Sequence, residues 1–251
     1  MRYPLIVTAL AGVLCAAAGA QEPKKDEPKK REQPKYEFRE EHDPDGIGKF
    51  YLGREIAHVM GWQGAGWLER KERIKEEDPE KLVKLLEIKD GMTVADVGAG
   101  SGYHTFMMAP LVGEKGKVIA SDIQPEMLTL ITKKAKDKKV TNVETVQGTA
   151  KDPKLPAGKV DLVLLVDVYH EFEFPYEMME KLVESLKPGG RLAFVEFKAE
   201  DDKVLIKPVH KMTERQVLKE AAVFHELEHT KTHAGLPWQH VVVFTRKEAK
   251  K

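Results

Sequence analysis

The sequence predicts an α/β fold whose seven-stranded sheet is mostly parallel, with one antiparallel strand near the C-terminus. From about 91 to 247, apolar runs of strand length alternate with segments of helical periodicity, which is typical of parallel sheets. The run at 160–167 is almost wholly apolar, as expected for a strand that helices cover on both faces. Two final strands, at about 223–231 and 239–246, predict a terminal hairpin joined at 235–238.

The first strand of this sheet, at 93–97, is followed by glycine at every second position. Gly98, Gly100 and Gly102 have no Cβ, so the chain can turn tightly there and approach a bound ligand closely. The dinucleotide fingerprint G-x-G-x-x-G would need a glycine at position 103, where this chain has Tyr103. The loop therefore predicts a site for a nucleoside-like cofactor other than a dinucleotide.

The second strand carries a candidate ribose ligand. A helix at about 103–112 leads into a strand at 117–122, which ends in Asp122, 20 residues after Gly102. In Rossmann-like sheets, an acid at the tip of the second strand accepts hydrogen bonds from ribose hydroxyls. We therefore expect Asp122 to bind ribose, and a third strand is predicted at 143–150.

The fourth and fifth strands bring acidic and basic side chains to the carboxyl edge of the sheet, where ligands bind in open α/β folds. The fourth strand leads into the sequence Asp-Val-Tyr-His-Glu at 167–171. A helix at about 175–186 ends at a Lys-Pro-Gly-Gly stop signal, and the strand at 191–197 carries Glu196. A further helix, with Thr213 as its N-cap, precedes the terminal hairpin.

The pattern Asp96-x-Gly98-x-Gly100-x-Gly102 resembles the first motif of class I S-adenosylmethionine-dependent methyltransferases, and the resemblance extends over roughly 85–247. It implies a Rossmann-like sheet and S-adenosylmethionine as cofactor, with the acid and the glycine loop holding the amino acid end. Asp96 suits an ammonium group better than a pyrophosphate, which it would repel. Together with Asp122 and the strand-end acid Asp167, the expected cofactor residues are Asp96, Gly98, Ala99, Gly100, Gly102, Asp122, Ile123, Thr149, Ala150 and Asp167.

Methyl transfer needs a base only if the acceptor is protonated when it attacks. His170 is the first candidate, because an imidazole can take a proton near neutral pH. Glu196 and His210 are the second candidates, and His170 could instead only shape the cofactor wall. The acids Asp167, Glu171 and Glu196 favour a neutral or cationic acceptor over an anion, and the acceptor itself stays unidentified.

Two alternatives compete with the enzyme. A module that only binds the cofactor or its demethylated product would use the same residues. The run from His225 to His229 matches H-E-x-x-H, which would suit a zinc hydrolase. Two histidines four apart can chelate one ion on a helix, whereas on a strand they stand roughly 13 Å apart. The alternation at 225–230 favours a strand, and we predict no metal site.

The N-terminal third divides into three predicted parts. Residues 1–20 have the basic start, apolar core and Ala-x-Ala ending of a secretory signal peptide, so we expect an exported protein, periplasmic or secreted. Residues 21–35 read as a disordered Lys/Glu/Pro linker. Residues 36–90 are predicted as a helical lid, followed by the methyltransferase domain at 91–247.

Composition limits the partners. The chain has 41 basic and 41 acidic residues, so no global field predicts a nucleic acid partner. The apolar segment before position 20 is too short to span a bilayer, which argues against stable membrane insertion after cleavage. Cys15 is the only cysteine and would leave with the signal peptide. The oligomeric state stays open, as does the route by which the cofactor would reach an exported protein.

Overall fold

The computed structural model describes Met1, Gln33 and residues 35–248. The predicted signal peptide and most of the predicted linker lie outside these residues. Among the described residues, no helix has the length and apolar character needed to cross a bilayer.

The segment before the main sheet begins with strands. These are β1 (Tyr36–Phe38), β2 (Gly46–Tyr51) and β3 (Arg54–Ala57), which form an antiparallel sheet in the order β1-β2-β3. Helical structure follows as a 3-10 turn (Trp62–Gly64), α1 (Ala65–Leu68), α2 (Arg73–Glu77) and α3 (Pro79–Leu85).

The predicted helical lid is therefore wrong for the part that forms β1 to β3. Ile56, Val59 and Met60 share helical spacing, which favours a helix, but three apolar residues make a short pattern. The deciding feature is the connection between β2 and β3, where Leu52 and Gly53 both have positive φ. Two such residues favour a tight hairpin, which turns the chain back on itself.

The main sheet confirms the predicted fold class. Its strands are β4 (Thr93–Val97), β5 (Lys117–Asp122), β6 (Val143–Gln147), β7 (Val160–Val166), β8 (Leu186–Phe197), β9 (Leu227–His233) and β10 (Gln239–Arg246). They lie in the order β6-β5-β4-β7-β8-β10-β9, and of these seven strands only β10 runs opposite to the other six. The chain moves outward from β4 to β6 and then returns to place β7 on the other side of β4. This reversal is the topological switch point at which ligands bind in open sheets.

The helices of the second half begin where local signals predict. They are α4 (Tyr103–Val112), α5 (Pro125–Lys138), α6 (Pro175–Ser185) and α7 (Glu214–Ala221). Proline occupies the first turn of α5 and α6, where its missing N–H costs nothing. The Thr213 hydroxyl accepts a hydrogen bond from the Gln216 amide at 3.0 Å, which confirms the predicted N-cap of α7.

The packing of the central strand β7 explains why its sequence is apolar except at Asp161. Leu162 and Leu164 pack into one core cluster that includes Met108 of α4. Val163, on the opposite face, packs into a second cluster with Met179 of α6. Successive side chains of a strand point to opposite faces, so a strand between two helical layers is apolar at nearly every position.

Three predicted boundaries need correction. The third strand ends at Gln147 rather than 150, because residues 149–152 form a turn closed by a bridge between Thr149 and Asp152. The fifth strand starts at Leu186, since α6 passes directly into it and Leu186 pairs with Val160. The strand expected at 223–231 forms at Leu227–His233.

Candidate functional site

A cavity of about 440 Å³ lies at the carboxyl ends of β4, β5 and β7, at the switch point of the sheet. Its wall combines the glycine loop, the tip of β5, the segment after β7 and part of the segment before β4. The expected cofactor residues that line it are Gly98, Gly100, Asp122, Ile123, Thr149, Ala150 and Asp167. Asp96, Ala99 and Gly102 are not among the lining residues.

The glycine loop has the backbone conformation that its sequence predicts. Gly98, Gly100 and Gly102 have φ values of +70°, +53° and +78°, a region that side chains other than glycine rarely adopt. A Cβ added at Gly98 would lie 2.3 Å from Cγ2 of Val168, which follows β7. The loop is thus packed between its neighbours and presents bare backbone to the cavity.

Asp122 joins this loop to the tip of β5. One of its carboxylate oxygens accepts a hydrogen bond from the Gly100 amide at 2.9 Å, and the other accepts one from the Gln124 amide at 2.9 Å. Burial raises the pKa of Asp122, and these backbone hydrogen bonds oppose the rise. A carboxylate has about four lone pairs, so Asp122 can still accept a hydrogen bond from a hydroxyl group of a ligand in the cavity.

Asp96 lies behind the glycine loop rather than on the cavity wall. Its carboxylate is buried beneath the loop and accepts a hydrogen bond from the Thr105 hydroxyl at 2.5 Å. Burial raises the pKa of Asp96 to about 6, although the Thr105 hydrogen bond opposes this rise. Asp96 therefore connects β4 to α4, and its position does not support a direct contact with the cofactor's ammonium group.

Asp167 presents an unsatisfied oxygen at the end of β7. Its backbone has a φ of +50°, and its Oδ2 accepts a hydrogen bond from Gln239 at 2.7 Å. The other oxygen, Oδ1, is buried and has no hydrogen-bond partner among the residues that the structure describes. Burial raises the pKa of Asp167 well above its ordinary value, and the charges of Glu77 and Glu196 add to the rise. A cationic ligand group would satisfy this oxygen.

Arg73 of α2 also lines the cavity, and the sequence analysis missed it. Its Nε donates to Glu77 at 2.5 Å and its Nη1 donates to the Leu68 carbonyl at 2.9 Å. Both partners of the Arg73–Glu77 pair are almost fully buried. In sequence they are an ordinary i, i+4 pair like many on exposed helices, so no local signal separates this arginine from a surface one.

The three predicted catalytic residues contact one another in the order Glu196, His170, His210. His170, on the 3-10 turn Tyr169–Glu171, places Nδ1 2.6 Å from Oε2 of Glu196. The other oxygen of Glu196 accepts a hydrogen bond from the Tyr169 amide at 3.1 Å. His170 Nε2 lies 3.2 Å from Nδ1 of His210, on the 3-10 turn Pro208–His210. His170 and His210 line the cavity, whereas Glu196 is fully buried behind His170.

Glu171 completes this cluster. Its Oε1 lies 3.6 Å from His210 Nδ1 and accepts a hydrogen bond from the Met60 amide at 3.2 Å. Burial raises the pKa of Glu171 to about 7, although the charge of His170 opposes the rise. Burial also disfavours the charged form of His170, but the Glu196 carboxylate outweighs burial and raises the pKa of His170. Burial and the neighbouring His170 lower the pKa of His210 to about 4.

The H-E-x-x-H sequence does not form the helix that a zinc hydrolase requires. His229 lies in β9, in agreement with the predicted strand, whereas His225 lies in the turn before it. The Nε2 atom of His229 is 2.9 Å from the Thr232 hydroxyl, and its ring packs on Phe244. The zinc-hydrolase alternative is therefore wrong for these histidines.

Comparison with known proteins identifies the family of this chain. A family model described as a methyltransferase domain matches residues 88–246. The ubiquinone/menaquinone biosynthesis C-methyltransferase UbiE of Pseudomonas paraeruginosa is 32% identical over 126 residues, which cover 50% of this chain and 49% of that protein. UbiE of Vibrio cholerae is 31% identical over 125 residues, covering 49% of this chain and 46% of that protein. The chain thus spans about half the length of the curated relatives it matches.

Solved structures show the same fold. An S-adenosylmethionine-dependent methyltransferase from Aquifex aeolicus has a TM-score of 0.70 and 28% identity, covering 75% of this chain and all of that one. The PH0226 protein from Pyrococcus horikoshii has a TM-score of 0.56 and 20% identity, covering 70% of this chain and 91% of that one. At that identity the second likeness concerns the fold alone.

The first prediction concerns Asp122. Replacing Asp122 with Ala removes both acceptor oxygens, so S-adenosylmethionine should bind at least roughly tenfold more weakly in calorimetric titration. Asp122→Asn keeps one acceptor oxygen and should lose less affinity. Asp137→Ala, which changes an exposed acid on α5, is the matched control. Unchanged affinity in folded Asp122→Ala would contradict the assignment.

The second prediction concerns Asp96 and pH. Its pKa of about 6 in the fold exceeds its ordinary 3.8, so the folded state binds the proton more tightly than the unfolded state. The wild type should therefore lose stability relative to Asp96→Asn as pH rises from about 4 to 6, by up to about 3 kcal/mol. Urea unfolding of both proteins without cofactor, at pH 4 and pH 7, measures the difference. A difference that does not change with pH would refute this origin.

Proposed function

This chain belongs to the S-adenosylmethionine-dependent methyltransferase family, and from that premise we propose that it methylates a neutral or cationic acceptor bound beside His170. One observation carries the proposal: the glycine loop, Asp122 and the His170 cluster line the same cavity. A cofactor bound by the first two groups would share that cavity with the third. The alternative of a module that only binds the cofactor has no separate feature in its favour.

The cofactor's orientation follows from the chemistry of the wall. We assign the ribose hydroxyls to Asp122 and the adenine to the side formed by Ile123, Thr149 and Ala150, as the family resemblance implies. The methionine end would then lie near Asp167, whose unpartnered Oδ1 suits the ammonium group.

Arg73 supports the same orientation. Its Nε and Nη1 are engaged, and its Nη2 has no hydrogen-bond partner among the described residues. A guanidinium group with a free N–H suits the carboxylate of the methionine end. Asp167 would bind the ammonium group and Arg73 the carboxylate of the cofactor's zwitterionic methionine end.

The acceptor lies at the other side of the sulfonium in this arrangement. Methyl transfer requires the nucleophile in line with the departing sulfur, and orientation of the two supplies much of the rate. His170 and His210 would hydrogen-bond the reacting group and favour its deprotonated, nucleophilic form. Glu196 does not reach the cavity, so it acts as a positioning residue that orients His170.

Charge restricts the acceptor further. Asp122, Asp167 and Glu171 place carboxyl groups on the wall, and burial raises the pKa of each, so the cavity disfavours negative charge. Of the basic side chains on the wall, Lys207 pairs with Asp45 at 2.6 Å, and the free N–H of Arg73 is assigned to the methionine carboxylate. An anionic acceptor would lose its hydration and meet like charge, whereas a neutral hydroxyl or an amine would not.

Export of the protein stays a proposal that depends on the signal-like residues 1–20.

The third prediction tests Arg73. The wild type should prefer S-adenosylmethionine over its decarboxylated analogue, and Arg73→Lys should reduce that preference roughly tenfold or more, the size of one charge-assisted hydrogen bond. Lysine keeps the charge beside buried Glu77, which protects the fold. Arg70→Lys is the control, since Arg70 pairs with the same Glu77 but does not line the cavity. An unchanged preference in Arg73→Lys would remove Arg73 from the site.

The fourth prediction tests the acceptor class. A matched panel of small compounds, each carrying a hydroxyl, amine or carboxylate on the same skeleton, is incubated with methyl-labelled S-adenosylmethionine. We expect label in hydroxyl or amine compounds and none in the carboxylates. Turnover of the carboxylates alone would overturn the proposed class.

A further inference from the structure

We propose that His170, Glu171 and His210 form a site for one divalent transition-metal ion that binds the acceptor. The inference deepens the proposed function and rests on it, because the ion would act on the group that receives the methyl, in place of the direct hydrogen bonds from His170 and His210. It differs from the expectation drawn from the sequence, which included no metal site.

The distances between the side chains match one shared ion. Each residue offers one ligand atom, and the three atoms lie within 4.8 Å of one another. His170 Nε2 and His210 Nδ1 are 3.2 Å apart, and His210 Nδ1 and Glu171 Oε1 are 3.6 Å apart. Ligands about 2.1 Å from one ion, at angles between octahedral and tetrahedral, are about 3.0–3.4 Å apart. Only small movements would be needed to close around an ion.

The surroundings of His170 are those of a metal-bound histidine. A ligating imidazole usually donates its other ring N–H to a carboxylate, which fixes the ring and the tautomer. Glu196 is fully buried. Its Oε2 lies 2.6 Å from His170 Nδ1, and its Oε1 accepts a hydrogen bond from the Tyr169 amide. With the proton of Nδ1 directed to Glu196, Nε2 is left with its lone pair facing His210 and the cavity.

The ligand set selects the kind of ion. Two imidazoles and one carboxylate suit zinc, manganese, iron or cobalt better than magnesium or calcium, which prefer oxygen ligands alone. Among the described residues, this is the one group of three such side chains close enough to share an ion. It does not include the histidines of the H-E-x-x-H sequence.

The open side of the site defines the acceptor. All three ligands line the cavity, so positions left free on the ion would face it. An ion of charge +2 beside one ligating carboxylate keeps a net positive charge, which favours a hydroxyl that ionises on binding. Its O–H bond would break with loss of the proton to solvent. The oxygen would then attack the methyl carbon as the carbon–sulfur bond breaks, leaving a methyl ether and S-adenosylhomocysteine.

The test uses cobalt(II) as the probe and the full-length protein. We expect one equivalent of Co²⁺ to produce visible absorption bands of a nitrogen- and oxygen-ligated ion. His210→Ala and Glu171→Gln should each weaken Co²⁺ binding at least tenfold. His229→Ala is the control, since this histidine belongs to the H-E-x-x-H sequence and lies outside the cluster, and it should bind as the wild type does.

S-adenosylmethionine binding, measured on the same samples, separates the two proposals. We expect it to persist in all three variants, which also shows that they are folded. If the wild type binds the cofactor but not Co²⁺, or if Glu171→Gln or His210→Ala binds Co²⁺ as the wild type does, the metal site is refuted and the proposed function stands. If the wild type does not bind the cofactor, the proposed function fails, whatever the outcome with Co²⁺.

Discussion

The site depends on one interaction, the pair of hydrogen bonds that the Asp122 carboxylate accepts from the backbone amides of Gly100 and Gln124. These two hydrogen bonds hold the glycine loop against the tip of β5 and direct the start of α5. They act together with the Gly98 and Ala99 amides, which donate to the Ser121 carbonyl at 2.8 and 3.1 Å, and with the Ser101 hydroxyl, which donates to Glu69 at 2.7 Å. The same carboxylate is the candidate ribose ligand, so the residue that shapes the site is also the one proposed to bind the cofactor.

Two buried charge pairs extend this arrangement to either side. Glu77 holds Arg73 near the proposed methionine end, and Glu196 holds His170 near the proposed acceptor. A buried charge that loses its partner is costly, so each pair defines one geometry more than it adds stability. In both pairs the basic side chain lines the cavity, and its acid lies behind it. The reacting groups are thus positioned by residues that no ligand contacts.

Local patterns were sufficient for the sheet, the glycine loop and Asp122, because each depends on neighbours in sequence or on the regular alternation of strand and helix. His170, Glu196 and His210 were identified one at a time, but their contact depends on tertiary structure that brings three separate segments together. Arg73 had no signal, since its pair with Glu77 looks the same on a surface helix. The β1–β3 sheet was missed because its strands are only three, six and four residues long, which is too short for a clear alternating pattern.

The central claim is that one cavity holds the cofactor's sulfur toward His170 with its ribose on Asp122. A crystal structure of the protein with S-adenosylhomocysteine tests it most directly. The account predicts both ribose hydroxyls within hydrogen-bond distance of the Asp122 carboxylate, and the sulfur directed toward the side formed by His170, Glu171 and His210. A ribose bound away from Asp122, or a sulfur turned away from that cluster, would contradict it.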